Sequence, residues 1–262
     1  IREKKGLNDP LIVQYARYVS GSITGDFGES YKYPGKTVIE LLSPKLIVSA
    51  KLFLLSVLIS TFFGIPLGFY AALKQGTPTD PAIVSLTLIL YAMPVFLTAP
   101  LLIIIFALEL GWVPVSGWGG IFDKRAILPA ITVGLPGIAV IARLMRASTL
   151  DVIGQEFITF AKAKGVDRFS INFKHVGRNA ILPVVTVLGL SFSGMLGGAL
   201  IVELIFGIPG VARFALDAIF SRDYPIIMAL TLIGTASLVV ANLIVDILYV
   251  FLDPRIKYSN EN

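Results

Sequence analysis

Cysteine is absent from this chain, histidine occurs once, and acidic residues are fewer than basic ones. Without cysteine there can be no disulfide, no thiolate nucleophile and no cysteine-ligated metal site. The single His175 cannot form a histidine cluster, so we predict no metal site. No serine stands beside a base in a pattern typical of a nucleophile, and we predict that the chain is not an enzyme.

Long runs without a charged residue dominate the rest of the sequence. The 262 residues are 55% hydrophobic and have a mean hydropathy of +0.82, well above that of a soluble domain. Each run is long enough to cross a membrane, which takes roughly 17–25 residues, and lipid forces such a run to be helical. We predict an all-α, polytopic transmembrane bundle with five spans, at about 48–73, 82–109, 126–146, 180–205 and 224–251.

The long polar loop from Arg143 to Arg178 predicts the orientation of the bundle. It holds seven basic and three acidic residues, and a basic loop between spans belongs on the cytoplasmic side. Residues 1–45 then become an extracytoplasmic segment, and residues 46–262 form the transmembrane domain with a cytoplasmic loop at 147–179. The basic residues of the first segment oppose the rule, but long translocated segments are largely exempt from it. An external start also predicts one further helix before Ile1, which would give six spans.

Glycine and proline are frequent within the predicted spans. Gly64 and Gly68, like Gly194 and Gly198, lie four positions apart, a spacing that lets helix backbones approach closely. Prolines at four positions interrupt the helical runs: Pro66, Pro94, Pro100 and Pro136. Tight packing with kinks and a path that opens and closes both explain these residues, and the sequence does not separate the two.

Two patterns suggest other functions. Residues 34–37 read Pro-Gly-Lys-Thr, like the end of a phosphate-binding loop, but Ser30 stands where that motif needs glycine, so we expect no ATP binding by this chain. Asp246 and Glu203 are acids near or within spans, where an ionisable group costs about 2.5–3.5 kcal/mol. They allow an alternative function, an ion-coupled secondary transporter, although a structural hydrogen-bond role for Asp246 is also open.

The loop and the span after it carry a family pattern. The chain shows Phe157-Ile158, then Ala161-Lys162-Ala163-Lys164-Gly165, and later Arg178-Asn179-Ala180-Ile181-Leu182-Pro183. These residues resemble the permease subunits of binding-protein-dependent ABC importers, in the branch that handles dipeptides, oligopeptides and nickel. Thr159 and Phe160 depart from the Glu-Ala start of the general signature, while Gly165 and Leu182-Pro183 match it. Further similar segments lie at 203–210, 222–225 and 253–255, so the resemblance covers essentially the whole chain.

The resemblance implies a type I ABC importer permease fold and half of a translocation pathway for peptides, with nickel or oligosaccharide as alternative cargo. The implied partners are a second permease in a heterodimer, two cytoplasmic ATPase subunits, an extracytoplasmic binding protein and membrane lipid, without nucleic acid. It implies no cofactor in this chain, with ATP and magnesium bound by the ATPase. It also implies a multi-pass protein of a bacterial or archaeal cell (inner) membrane.

Two sets of site residues follow. We expect coupling to the ATPase through Glu156, Phe157, Phe160, Ala161, Lys162, Ala163, Lys164, Gly165 and Asp167. Within this set, we expect Gly165 to end one short helix in the left-handed conformation and Asp167 to cap the next. We expect an external gate or a docking surface for the binding protein at Glu203, Phe206, Gly207, Pro209 and Gly210.

Overall fold

The computed structural model describes residues 9–192 and 199–252, and these form helices joined by turns. Its α-helices, in chain order, are α1 (Leu11–Ile23), α2 (Val38–Leu73), α3 (Thr79–Ala92), α4 (Val95–Leu102), α5 (Ile127–Ile153), α6 (Glu156–Ala163), α7 (Arg168–Ser170), α8 (Arg178–Ala180), α9 (Leu182–Ser191), α10 (Leu200–Ile205), α11 (Val211–Phe220) and α12 (Tyr224–Leu252). Two π-helical stretches continue α4 and α7, at Ile103–Glu109 and Ile171–Gly177, and a 3₁₀ turn at Lys124–Ala126 leads into α5. The predicted all-α class is confirmed.

Three of these helices are long and apolar enough to cross a membrane: α2, α5 with the turn before it, and α12 as far as Ile244. The helices α3 and α4 supply a fourth crossing if they count as one span, although their axes meet at 100° around Met93 and Pro94. The predicted fourth span contains α9 and α10, but residues 193–198 between them lie outside the described part, and with them Gly194 and Gly198. The predicted count of five is therefore approximate, and the predicted span limits stay predictions.

The helix α2 begins where its sequence supplies a cap. The Thr37 hydroxyl accepts the Glu40 amide at 3.4 Å, and the Glu40 carboxylate accepts the Thr37 amide at 3.2 Å. This reciprocal pair satisfies two of the amides that a helix start leaves without partners. Gly35 has φ +76 and makes the turn before it. The Pro-Gly-Lys-Thr pattern is thus a turn followed by a helix cap.

Two parallel helices, α2 and α5, form the centre of the bundle. A Cβ on Gly68 would lie 2.1 Å from the carbonyl oxygen of Ala142, and one on Gly64 would lie 2.8 Å from Ile141 Cβ. Further along, the Ser60 hydroxyl donates to the Gly134 carbonyl oxygen at 2.8 Å. Small residues therefore let the two backbones touch, as the spacing of Gly64 and Gly68 predicts.

The bundle has two ends, which we call the loop end and the far end. The loop end holds the basic loop, defined as residues 154–178, and the far end holds α1, α11 and the start of α2. At the loop end the Arg146 guanidinium binds the Asp80 carboxylate through two hydrogen bonds of 2.6 and 2.7 Å. This ion pair fixes the start of α3 against α5.

Candidate functional sites at the two ends of the bundle

The helix α6 of the basic loop ends at a glycine, as the sequence predicts. Gly165 has φ +77, a left-handed conformation that side chains disfavour. The Gly165 amide donates to the Lys162 carbonyl at 3.0 Å, and the Val166 amide donates to the Ala161 carbonyl at 3.2 Å. These two bonds satisfy the last carbonyls of α6 and turn the chain sharply.

Asp167 caps the next short helix, which also confirms the sequence-based expectation. Its carboxylate accepts the Ser170 amide, at 2.9 Å to one oxygen and 3.3 Å to the other. Hydrogen bonding from Ser170 holds the pKa of Asp167 below its usual range, because it favours the ionised carboxylate. The chain then continues through the π-helix at Ile171–Gly177 towards α9.

One side of the basic loop is anchored in the bundle. Ile158 is fully buried and Ala161 is nearly so, and both join a cluster with Met145 and Val152 of α5. The same cluster contains Val176 from the π-helix. The anchoring role of Ile158 escaped the sequence-based site, although its spacing of three from Ala161 marks one face of a helix.

The other side of the loop is apolar and basic, and it is exposed. The side chains of Phe157, Phe160 and Phe169 are 40%, 61% and 68% exposed. The Lys164 ammonium lies 4.5 Å from the centre of the Phe160 ring. Of the nine residues predicted for coupling, only Ala161 is buried, and the exposed ones are Glu156, Phe157, Phe160, Lys162, Ala163, Lys164, Gly165 and Asp167. Their role in coupling stays a prediction.

At the far end, Glu203 is completely buried and hydrogen-bonded. Its carboxylate accepts the Ser49 hydroxyl at 2.7 Å and the Arg213 amide at 2.8 Å, while the Val211 amide donates to the Ser49 oxygen at 2.8 Å. We call this group the Glu203 cluster: Ser49, Glu203, Gly210, Val211 and Arg213. The carboxylate faces the amino-terminal turn of α11, where amides lack helical partners and a negative charge is favoured.

Gly210 belongs to this cluster because it packs directly against Glu203, where a larger residue does not fit. A Cβ at this position would lie 2.2 Å from the Glu203 carboxylate. In the turn before it, Phe206 and Ile208 are buried, and the Phe206 carbonyl accepts the Gly117 amide at 2.7 Å. Gly207 takes φ +63.

Most of the predicted gate residues therefore stabilise the far end from inside. Glu203, Phe206 and Gly210 are buried, whereas Gly207 and Pro209 are exposed. Only these last two present a surface that a docking protein can contact in this structure. The gate and docking roles stay predictions.

A second buried acid at the far end was missed by the sequence analysis. Asp223 is fully buried, and its carboxylate accepts the Ser30 hydroxyl and the Tyr31 and Lys32 amides, the latter two at 3.1 Å. Ser30 and Asp223 are 193 positions apart in the chain, so no local pattern predicts the contact. It fastens the segment before α2 to the start of α12.

The ion-coupling alternative depends on Glu203 and Asp246. Glu203 is held by hydrogen bonds within the protein, as described above, and so serves the packing of α11. The Asp246 side chain lies outside the described residues. Within the described ranges, no group of three acidic or histidine side chains could hold a metal ion.

Comparison with known proteins identifies the family. Residues 64–258 match the family described as the binding-protein-dependent transport system inner membrane component. The probable peptide ABC transporter permease protein y4tP of Sinorhizobium fredii is 39% identical over 98% of this chain and 84% of its own length. The oligopeptide transport system permease proteins OppB of Haemophilus influenzae and AppB of Bacillus subtilis are 38% and 39% identical, with the same coverage.

The fold agrees with a solved structure. The crystal structure of an amino acid ABC transporter with histidines matches with a TM-score of 0.60 and 19% identity, over 80% of this chain and 92% of that one. At this identity the match shows the fold alone. A helical bundle with membrane-spanning helices, the matched family pattern and these relatives lead to one conclusion: the chain is a multi-pass membrane protein that belongs to the binding-protein-dependent transport system inner membrane component family.

Proposed function

We propose that this chain is one permease half of an ATP-driven importer and that the cargo is a peptide. The relatives that support this cargo carry the word peptide or oligopeptide in their names and match 98% of the chain. Nickel and oligosaccharide are the alternative cargoes. The importer would lie in a bacterial or archaeal cell (inner) membrane.

The observation that carries the proposal is the two-sided basic loop. Ile158 and Ala161 anchor it to α5, while Phe157, Phe160 and Phe169 face outward. An exposed phenylalanine that enters a partner's groove contributes about 1.5–3 kcal/mol. In our proposal the partner is a cytoplasmic ATPase subunit, which binds ATP and magnesium, while this chain carries no cofactor. Closure of the ATPase then moves α5 through the anchored side.

The remaining partners are those that the family implies. The far end, with residues 1–45 and the exposed Gly207 and Pro209, would lie outside the cell and meet the binding protein. A second, different permease would cover part of the exposed apolar surface of the bundle, and lipid would cover the rest. The ion-coupled alternative is not favoured, because hydrogen bonds from Ser49 and Arg213 already use the Glu203 carboxylate.

The test is reconstitution of the whole complex in proteoliposomes. We expect uptake of a labelled tetrapeptide that requires the binding protein and ATP, and that stops when the ATPase subunit carries an inactive site. Uptake driven by a proton or sodium gradient without ATP would overturn the proposal in favour of the secondary transporter. Uptake of nickel or an oligosaccharide, with none of peptide, would overturn the cargo.

A further inference from the structure

Arg143, which the sequence analysis counted with the polar loop, lies inside α5 and has no acidic partner within the described residues. The ion pairs there are Arg17 with Asp9, Arg125 with Asp123, and Arg146 with Asp80. Arg143 of α5 is exposed, and its Nε donates to the Ala139 carbonyl at 3.4 Å. Within the same described ranges its two terminal nitrogens donate to nothing. A guanidinium with free donors is suited to a planar anion.

The Arg143 guanidinium lies over an aromatic ring. Its central carbon is 4.8 Å from the centre of the Tyr91 ring, a distance typical of a cation–π interaction. Tyr91 itself is 52% exposed. The ring therefore positions the charge on an open face of the α3–α5 pair and leaves its terminal nitrogens accessible.

The contact between Arg143 and Tyr91 lies further into the bundle than the Arg146–Asp80 ion pair at the loop end. We take that ion pair as the loop-side edge of the hydrocarbon, because residues 82–108 after it carry no charge. Tyr91 lies about 16 Å further along α3 than Asp80, at about 1.5 Å per residue. That is about half the thickness of a hydrocarbon core of roughly 30 Å. A charge at this depth costs about 2.5–3.5 kcal/mol when it faces lipid, so such residues face protein or a water-filled path.

The chain also breaks at this depth. The helix α3 ends at Ala92, Met93 and Pro94 are extended, and α4 leaves at 100°. A helix end leaves carbonyls and amides without helical partners, which lipid cannot satisfy. Broken helices in membrane proteins occur where the backbone lines a cavity, and transported solutes often bind beside them. Arg143 and Tyr91 thus stand next to a feature that independently indicates the path.

We propose that Arg143 binds the carboxylate of the transported peptide part-way through the membrane, with Tyr91 as its positioning residue. This inference rests on the proposed function, because it takes the cargo to be a peptide. Lipid phosphate is disfavoured as the anion, because headgroups lie at the membrane surface and not at its middle. A contact that is made in passage must also be weak enough to release. A single guanidinium that also contacts the Tyr91 ring and is open to water would bind the carboxylate weakly enough to release it.

The test compares two peptides in proteoliposomes that contain the whole complex. One is a short peptide with a free C-terminus, and the other is its C-terminal amide, in a sequence chosen so that the binding protein holds both. Uptake of the free peptide by the unchanged complex tests the proposed function by itself. The ratio of free-peptide to amide uptake tests the carboxylate site.

For Arg143→Gln we expect this ratio to fall about tenfold, because a charge-assisted hydrogen bond to the carboxylate is lost. Arg143→Lys should keep part of the preference. Tyr91→Phe retains the ring and should keep the ratio, whereas Tyr91→Leu should lower it. The amount of assembled complex, measured by gel filtration, shows whether a variant folds.

Two results would overturn the proposal. If Arg143→Gln lowered uptake of both peptides equally, the arginine would serve the structure or a partner's acidic group instead of the cargo. If it left both rates unchanged in assembled complex, the arginine would have no part in transport.

Discussion

The Ser49 hydroxyl donates a hydrogen bond of 2.7 Å to the Glu203 carboxylate, and so joins α2 to α10. The same oxygen accepts the Val211 amide at 2.8 Å, which adds α11 to the contact. One side chain thus holds three helices together at the far end. Because all of its polar partners are buried, water cannot take its place.

The first prediction removes this hydroxyl. Ser49→Ala leaves a buried amide and a carboxylate oxygen without a partner, and we expect a loss of about 1–3 kcal/mol in the free energy of unfolding. The measurement is thermal unfolding of the purified complex. Ser56→Ala is the matched control, because Ser56 is equally buried on α2 but donates only to the Phe53 carbonyl of its own helix. Equal melting temperatures for the two variants would contradict the prediction.

The second prediction concerns the contact between α2 and α5. Gly68→Ala would place a Cβ 2.1 Å from the Ala142 carbonyl oxygen, so the helices must separate, at a cost of about 1–3 kcal/mol. Gly234→Ala on α12 is the control, because a Cβ there has nothing within 4 Å. Alanine is the better helix former, so the control should be neutral or slightly stabilising. We expect Gly68→Ala to lower the melting temperature and Gly234→Ala to leave it unchanged or raise it slightly. If both variants lowered the melting temperature equally, the close contact between α2 and α5 would not be the cause.

The third prediction tests the exposed side of the basic loop. Phe160→Asp should leave folding intact, because Phe160 is 61% exposed, yet weaken docking of the ATPase by introducing a charge into an apolar interface. We expect the ATPase subunit to be lost on purification and peptide uptake to fall at least tenfold. Phe122→Asp, at a 96% exposed phenylalanine far from this loop, should retain the ATPase subunit.

Gly165→Val addresses the shape of the same loop. At φ +77 a β-branched side chain is strained by about 1–3 kcal/mol, so the turn after α6 should distort. Transport should fall while membrane insertion is unaffected. Normal uptake by both Phe160→Asp and Gly165→Val, with normal ATPase content, would mean that the loop is only a linker.

The fourth prediction concerns the orientation of the bundle in the membrane. The chain has no cysteine, so single cysteines can be introduced without removing any. Lys36→Cys and Gln155→Cys replace exposed residues at opposite ends of the bundle. An impermeant thiol reagent added to intact cells should label Lys36→Cys alone, and permeabilised cells should label both. Labelling of Gln155→Cys in intact cells would reverse the proposed orientation.

The sequence predicted those features of the fold that depend on neighbouring residues. Charge-free runs predicted helices because lipid leaves the backbone no other choice, and Gly165 and Asp167 predicted a turn and a cap from their own conformational preferences. Contacts between segments that are distant in the chain could not be predicted from the sequence. The acid Glu203 was expected at a gate, a role that stays a prediction. Its hydrogen bond with Ser49 was not foreseen, because nothing near either residue in the sequence indicates the other. The bond between Ser30 and Asp223 was missed for the same reason.

The glycine contacts between α2 and α5 also determine how a displacement travels. Sliding one helix past the other would bring backbone atoms into collision at Gly64 and Gly68, so this contact resists sliding. The helix α5 leads directly into the basic loop, and Ser49 lies about 36 Å from the loop end of α2. We therefore expect a displacement of the basic loop to reach the Glu203 cluster as a tilt of the α2–α5 pair rather than as sliding between the two helices.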